Sequence, residues 1–147
     1  MPIPDLPASW AAARIALRLT AAGTELDPGP RIVHADTLGG VAILAAAIVP
    51  GTPPAPDVHT LERAAAHAPW MLATLHAITS TATLRAAAQE LTIHHSTPQN
   101  RVTHAENVLG WPIRDPQGRF RLELALLLRR LYRHPPDIIG PMRVRIA

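Results

Sequence analysis

Cysteine is absent from the 147 residues, and so is lysine. Without cysteine there is no disulfide, no thiolate zinc site and no sulfur nucleophile, so packing alone must hold the fold, and a reducing cytoplasm suits the composition. Without lysine, all 14 basic side chains are arginines. Together with the abundant Ala, Pro and Leu, this reads partly as a GC-rich coding background. Long hydrophobic runs are missing too. The longest, residues 41–50, has half the length a bilayer-crossing helix requires, and Met1-Pro2-Ile3-Pro4 is neither a basic leader nor an apolar core. The expectation is therefore a soluble chain with no secretory signal and no membrane partner.

What is present is enough apolar material, 48%, for one ordinary domain or two very small ones. Charge is unevenly spread: residues 1–84 hold four Arg against six acids, and residues 85–147 hold ten Arg against five. The basic half is the C-terminal one, where arginines can neutralise phosphates.

Punctuation divides the chain. Ser9 is a candidate cap for a helix over 10–22, with Trp10, Ala13, Leu17 and Ala21 as its inward stripe and Gly23 as its stop. Residues 25–30 read as a turn and the β-branched stretch 31–35 as a short strand. A second helix over 38–49 ends at Pro50, and the four prolines of residues 50–56 make a linker. Helices then follow over 57–68, with Asp57 as a possible cap, and over 70–78. Another begins after Thr83 on the stripe Leu84, Ala87, Ala88, Leu91. A polar helix starts at His95 or Ser96 and runs to Leu109, closed by Gly110, and a last one spans 118–133 with Phe120, Leu124, Leu127, Leu128 and Leu131 aligned. Leu122, Ala125 and Leu126 give that helix a second apolar face, which the N-terminal half or another copy must cover. The alternation at residues 142–147 is a candidate strand that pairs with 31–35. The expected fold class is mainly α. It comprises a small α/β piece over 1–49, a linker over 50–56, a helix-turn-helix domain over 57–134 and a tail over 135–147.

Residues 84–109 have helix-turn-helix anatomy: a short helix with small inward residues, a tight turn, then a helix with a dense polar face. Inward are Val102, Ala105 and Leu109; Ser96, Gln99, Asn100, Thr103 and Asn107 share the opposite face. Chemistry of other kinds finds little footing. His94 and His95, adjacent in sequence, diverge by about 100° on a helix and do not chelate one ion. Glu106 sits apart from any partner and Asp115 reads as a helix cap, so neither a catalytic pair nor a phosphate-cradling loop is evident. No enzyme activity, metal or cofactor is expected.

The run Leu84-Arg85-Ala86-Ala87-Ala88-Gln89-Glu90-Leu91 is followed by Ile93-His94-His95-Ser96-Thr97, Arg101-Val102, Glu106, Leu109-Gly110, Asp115-Pro116 and Arg119 through Leu131. In that order and spacing, residues 75–132 resemble the C-terminal helix-turn-helix domain of PucR-family transcription regulators, also found in sugar-diacid regulators of the CdaR type. More weakly, Ala12-Ala13-Arg14-Ile15-Ala16-Leu17 and Asp36-Thr37-Leu38-Gly39 resemble the end of the GGDEF-like region that precedes this module. The resemblance implies a bacterial DNA-binding regulator, with an upstream sensor domain if the chain is part of a longer one. The sequence departs from the family at Pro98, Gln99 and Asn100, where aliphatic, Arg and Tyr residues are usual, which leaves the reading face short of positive charge.

Double-stranded DNA is thus the expected partner, met by Ser96, Thr97, Gln99, Asn100, Arg101, Thr103 and His104 on the second helix. Gln99 and Asn100 carry carboxamides suited to adenine. Arg85, Arg119 and Arg121 are candidate phosphate contacts, and a homodimer through Phe120, Leu124, Leu127, Leu128 and Leu131 is expected. The competing reading is a helical dimerisation or protein-interaction module that has lost DNA binding.

Overall fold

The computed structural model describes residues 5–90 and 96–136, and among these it contains seven α-helices, one 3-10 turn and no strand. In order they are α1 (Leu6–Arg18), the 3-10 turn (Ala35–Thr37), α2 (Gly40–Ala47), α3 (Pro56–His67), α4 (Met71–Ser80), α5 (Leu84–Glu90), α6 (Ser96–Leu109) and α7 (Pro116–Arg133).

Local chemistry sets most of these boundaries. Thr83 caps α5, its hydroxyl accepting from the Ala86 N–H at 3.1 Å. Asp115 caps α7 by accepting from the Gly118 N–H at 2.7 Å, with Pro116 in the first turn where no donor is needed. Gly110 ends α6 at φ +85°, a left-handed conformation that favours glycine. At α1 the cap is Asp5, which accepts from Ala8 N–H, and not Ser9, so the helix begins and ends four residues early. Asp57 lies inside the first turn of α3 and does not cap it; its carboxylate takes two hydrogen bonds from Arg121, at 2.7 and 2.8 Å.

Two cores form. The larger gathers Leu61 and Ala64 of α3, Met71, Leu75 and Ile78 of α4, Ala87 of α5, Val102, Ala105 and Leu109 of α6, Trp111 and Ile113 of the following turn, and Leu122 and Ala125 of α7. The smaller joins Leu19, Ala45 and Leu131, with Ile15, Val33, Leu44 and Leu127 packed against them. The 18-residue α7 runs through both. Its second apolar face, Leu122, Ala125 and Leu126, is therefore covered by the larger core of its own chain, chiefly α3 and α4, while Leu127 and Leu131 of its first stripe meet the N-terminal helices.

The smaller core closes on arginines. Arg18, only 7% exposed, donates to the carbonyls of Ala45 (2.5 Å) and Ile48 (2.9 Å) at the end of α2 and of Leu131 (3.2 Å) and His134 (2.8 Å) at the end of α7. These carbonyls have no partner within their own helices and carry partial negative charge, which a buried guanidinium satisfies. Burial pulls the Arg18 pKa below its ordinary value. Arg130 ties α7 to the first loop in the same way, donating to Leu19 and Pro28 carbonyls.

Three expectations are corrected here. The 31–35 strand is absent: residues 31–34 are irregular and run into the 3-10 turn, with Val33 turned inward and Ile32 exposed. The proposed pairing partner at 142–147 lies outside the described residues. Most of the inward stripe of α1 is inverted: Trp10, Ala13 and Leu17 face solvent while Ala16, Arg18 and Leu19 are buried, and only Ala21, just past the helix, is buried as expected. On α7 the deeply buried positions are Gly118, Leu122, Ala125, Arg129 and Leu131, and Phe120 is exposed.

The Asp57–Arg121 pair fastens α3 to α7 and yields a pH signature. Hydrogen bonding from Arg121 holds the Asp57 carboxyl below its ordinary range, against the opposing effect of burial. A depressed carboxylate pKa stabilises the fold above its unfolded value, about 4, and that stability is lost as pH falls through the folded value. Asp57→Asn should therefore be less stable than the parent chain at neutral pH, with the difference vanishing on the acid limb. Urea midpoints measured across pH check this, and a difference that persists unchanged into acid would contradict it.

Candidate nucleic-acid interface

Helix α5 packs on α6, and α4 lies against both, so the pair is propped from behind. Val102 and Ala105 are fully buried and Leu109 nearly so, which fixes the rotation of α6 about its axis. The opposite side, with Gln99, Asn100, Thr103, His104 and Asn107, is exposed. Ser96 and Thr97 begin the helix, but their side chains lie outside the described set, as do His94 and His95.

The borders of this face are built by other elements. On one side stands Arg114, from the turn between α6 and α7. Its guanidinium donates to Glu106 (2.5 Å), to the Thr103 hydroxyl (2.9 Å) and to the Gln99 carbonyl (3.4 Å), and its side chain stays half exposed. Glu106 is no isolated acid: its other oxygen accepts from the Ile113 N–H at 2.8 Å and so shapes the turn that presents Arg114. Sequence reading missed Arg114 because Glu106 and Arg114 are eight residues apart across a turn, a spacing no periodicity marks. The only signal was an arginine between Pro112 and Asp115-Pro116.

On the other side α3 and its following turn approach. His67 stacks on His104 with ring centroids 5.3 Å apart, and Trp70 lies tilted 5.7 Å from the same imidazole. Arg101, expected to read bases, is turned toward this border. Its guanidinium sits 4.9 Å over the Trp70 ring and donates to buried Thr74 at 3.3 Å.

Of the phosphate candidates, Arg85 is exposed on α5. Arg119 is instead drawn inward, donating to the Ile78 and Thr81 carbonyls at the end of α4. Arg121 is taken by Asp57 and lies 4.0 Å over the Trp111 ring. Both have intramolecular work that net charge could not reveal. The dimer face expected on α7 is also revised: Leu131 is fully buried within its own chain and Leu127 packs in the smaller core, leaving Phe120, Leu124 and Leu128 at least partly open.

Among the described residues no three His, Cys, Asp or Glu side chains gather as a metal site, and no helix is long and apolar enough to cross a membrane. Comparison with known families matches residues 71–128, the span from α4 into α7, to the PucR C-terminal helix-turn-helix domain. No curated protein and no solved structure matches the chain.

Proposed function

We propose that the chain is a sequence-specific DNA-binding transcription regulator, or the DNA-binding part of one, that inserts α6 into the major groove. The observation that carries this reading is the open polar side of α6, set opposite a fully buried stripe within a helix-turn-helix match over 71–128. Gln99 and Asn100 can each donate and accept along an adenine edge. Thr103 and His104 stand beside them, and Ser96 and Thr97 occupy the helix start, where phosphate contacts are common. Arg101 positions α6 through Trp70 and Thr74. Arg114 and Arg85 supply phosphate contacts in place of Arg119 and Arg121. The reading is independent of any GGDEF-like origin for residues 9–49, whose described course has no strand. One such helix spans few base pairs, so two copies on half-sites about one turn apart are expected.

Fluorescence anisotropy against the promoter DNA of the neighbouring gene tests it. Gln99→Ala or Asn100→Ala should cost about 1–3 kcal/mol on the specific site for each true base contact, with little change on random DNA. Arg114→Ala should weaken both alike and flatten the salt dependence by roughly one unit of log–log slope. The internal engagement of Arg119 and Arg121 favours the second reading, an interaction module without DNA affinity. Binding no tighter to the promoter than to random DNA at low salt would decide for it.

A further inference from the structure

We infer that the outward face of α1 is a self-association surface, on which two copies pair their α1 helices antiparallel and each seats Trp10 in a groove of the other. Leu6, Trp10, Ala13 and Leu17 fall at steps of four, three and four, the spacing of a helix-pairing seam. All four are exposed, Leu6 at 69% and Trp10 at 51%, although the smaller core lies on the other side of the same helix.

The seam complements itself. A twofold axis crossing between Ala11 and Ala12 sets Leu6 against Leu17 and large Trp10 against small Ala13. Beside Ala13 lies an open groove of about 360 Å³ between α1 and the 31–35 segment, lined by Ala13, Ala16, Leu17, Ile32 and Val33. An indole standing over Ala13 of the second copy enters it, and Ile32, 75% exposed in the single chain, becomes covered. Charge agrees with this polarity. Asp5, one residue before Leu6, arrives near the copy's Leu17 end, where exposed Arg31 also lines the groove. Because each copy offers the same helix and the same groove, the contact is isologous and closes at two. Docking α1 on the Phe120 face of a neighbour would instead be head-to-tail and open-ended.

Size sets the strength. Trp10 is 51% exposed in the single chain, so each tryptophan has only about half of its roughly 150–250 Å² left to bury, and with the two leucine pairs the total falls short of the roughly 800 Å² per partner of a standard stable interface. The expected dimer is therefore weak and concentration-dependent. It requires no DNA, so its failure would leave the DNA-binding reading standing.

Sedimentation equilibrium of the full chain over a concentration series tests the inference. A monomer–dimer equilibrium is expected, weakened on the order of tenfold or more by Trp10→Ala and by Ala13→Arg, with circular dichroism unchanged because both positions are exposed. The lack of native cysteine allows a cleaner check of geometry. Trp10→Cys chains mixed with Ala13→Cys chains should form disulfide-linked heterodimers faster than either forms homodimers. A parent chain that stays monomeric throughout overturns the inference, as does a dimer that survives both substitutions. Faster Trp10→Cys homodimers would mean parallel helices, and loss of the dimer only on Phe120→Glu would move the contact to α7; either result also overturns it.

Discussion

Replacing Arg18 with methionine is expected to lower the free energy of unfolding by about 3–5 kcal/mol, read as a shift in urea midpoint with an unchanged slope. Methionine keeps most of the apolar stem and deletes the donors, so the loss isolates what the guanidinium does. Four carbonyls at the ends of α2 and α7 lose their partner together. A buried acceptor left unsatisfied costs about 1–3 kcal/mol, and partial access of water near His134, together with relief of the desolvation that the Arg18 charge bears, brings the sum down to the figure given. Arg18→Lys should recover only part, since an ammonium offers its donors from one point where the guanidinium presents a planar fork. A loss below about 1 kcal/mol for the methionine variant would mean that solvent serves these carbonyls and the clamp is incidental.

The second large effect runs against helix propensity. In an exposed helix interior, glycine to alanine is stabilising by about 1 kcal/mol. At Gly118 the opposite is expected: a methyl group there would fall on the backbone carbonyl of Pro112, atoms that have no rotamer to move away on. Gly118→Ala should therefore destabilise by about 3 kcal/mol, the upper part of the range for overpacking, and should also weaken DNA binding, because the displaced 111–115 turn carries Arg114. Gly40, in the first turn of α2, is the internal control. A methyl there meets nothing within 4 Å, so Gly40→Ala should be neutral or mildly stabilising. Thermal melts of the two variants side by side decide it, and equal behaviour would show that the close approach at Pro112 relaxes without cost.

Much of the helical layout was legible because single residues punctuate it. Thr83, Gly110 and Asp115 each mark a boundary by chemistry that needs no tertiary context, although α7 begins at Pro116, two residues before the expected start, and the stripe Val102, Ala105, Leu109 turned inward as its spacing requires. The failures share a different cause. In α1, alanines at 8, 11, 12, 13 and 16 make several faces equally apolar, and the side that is buried contains Arg18, a residue a pattern reader assigns to solvent. Tryptophan at position 10 then drew the stripe to the wrong side. The Ile32-Val33 pair has β propensity but finds no partner strand among the described residues, and a strand without a ladder is not stable. For Arg119 and Arg121 the charge was evident; its destination, the end of α4 for one and Asp57 for the other, depends on contacts 38 to 64 residues away. Arg114 was overlooked for the same reason in reverse, being brought to α6 by a turn whose shape depends on Glu106.

Helix α7 gives both cores part of their substance, Leu122 and Ala125 to one and Leu127 and Leu131 to the other. Neither half can shed it and remain intact, so heat should melt them as one cooperative unit. Cutting the chain after its proline-rich stretch would leave a C-terminal piece with a greasy, unroofed end. A stimulus that loosens the first two helices would thus be passed along one continuous rod to α3 and α4, the two helices on which the Gln99 and Asn100 helix rests.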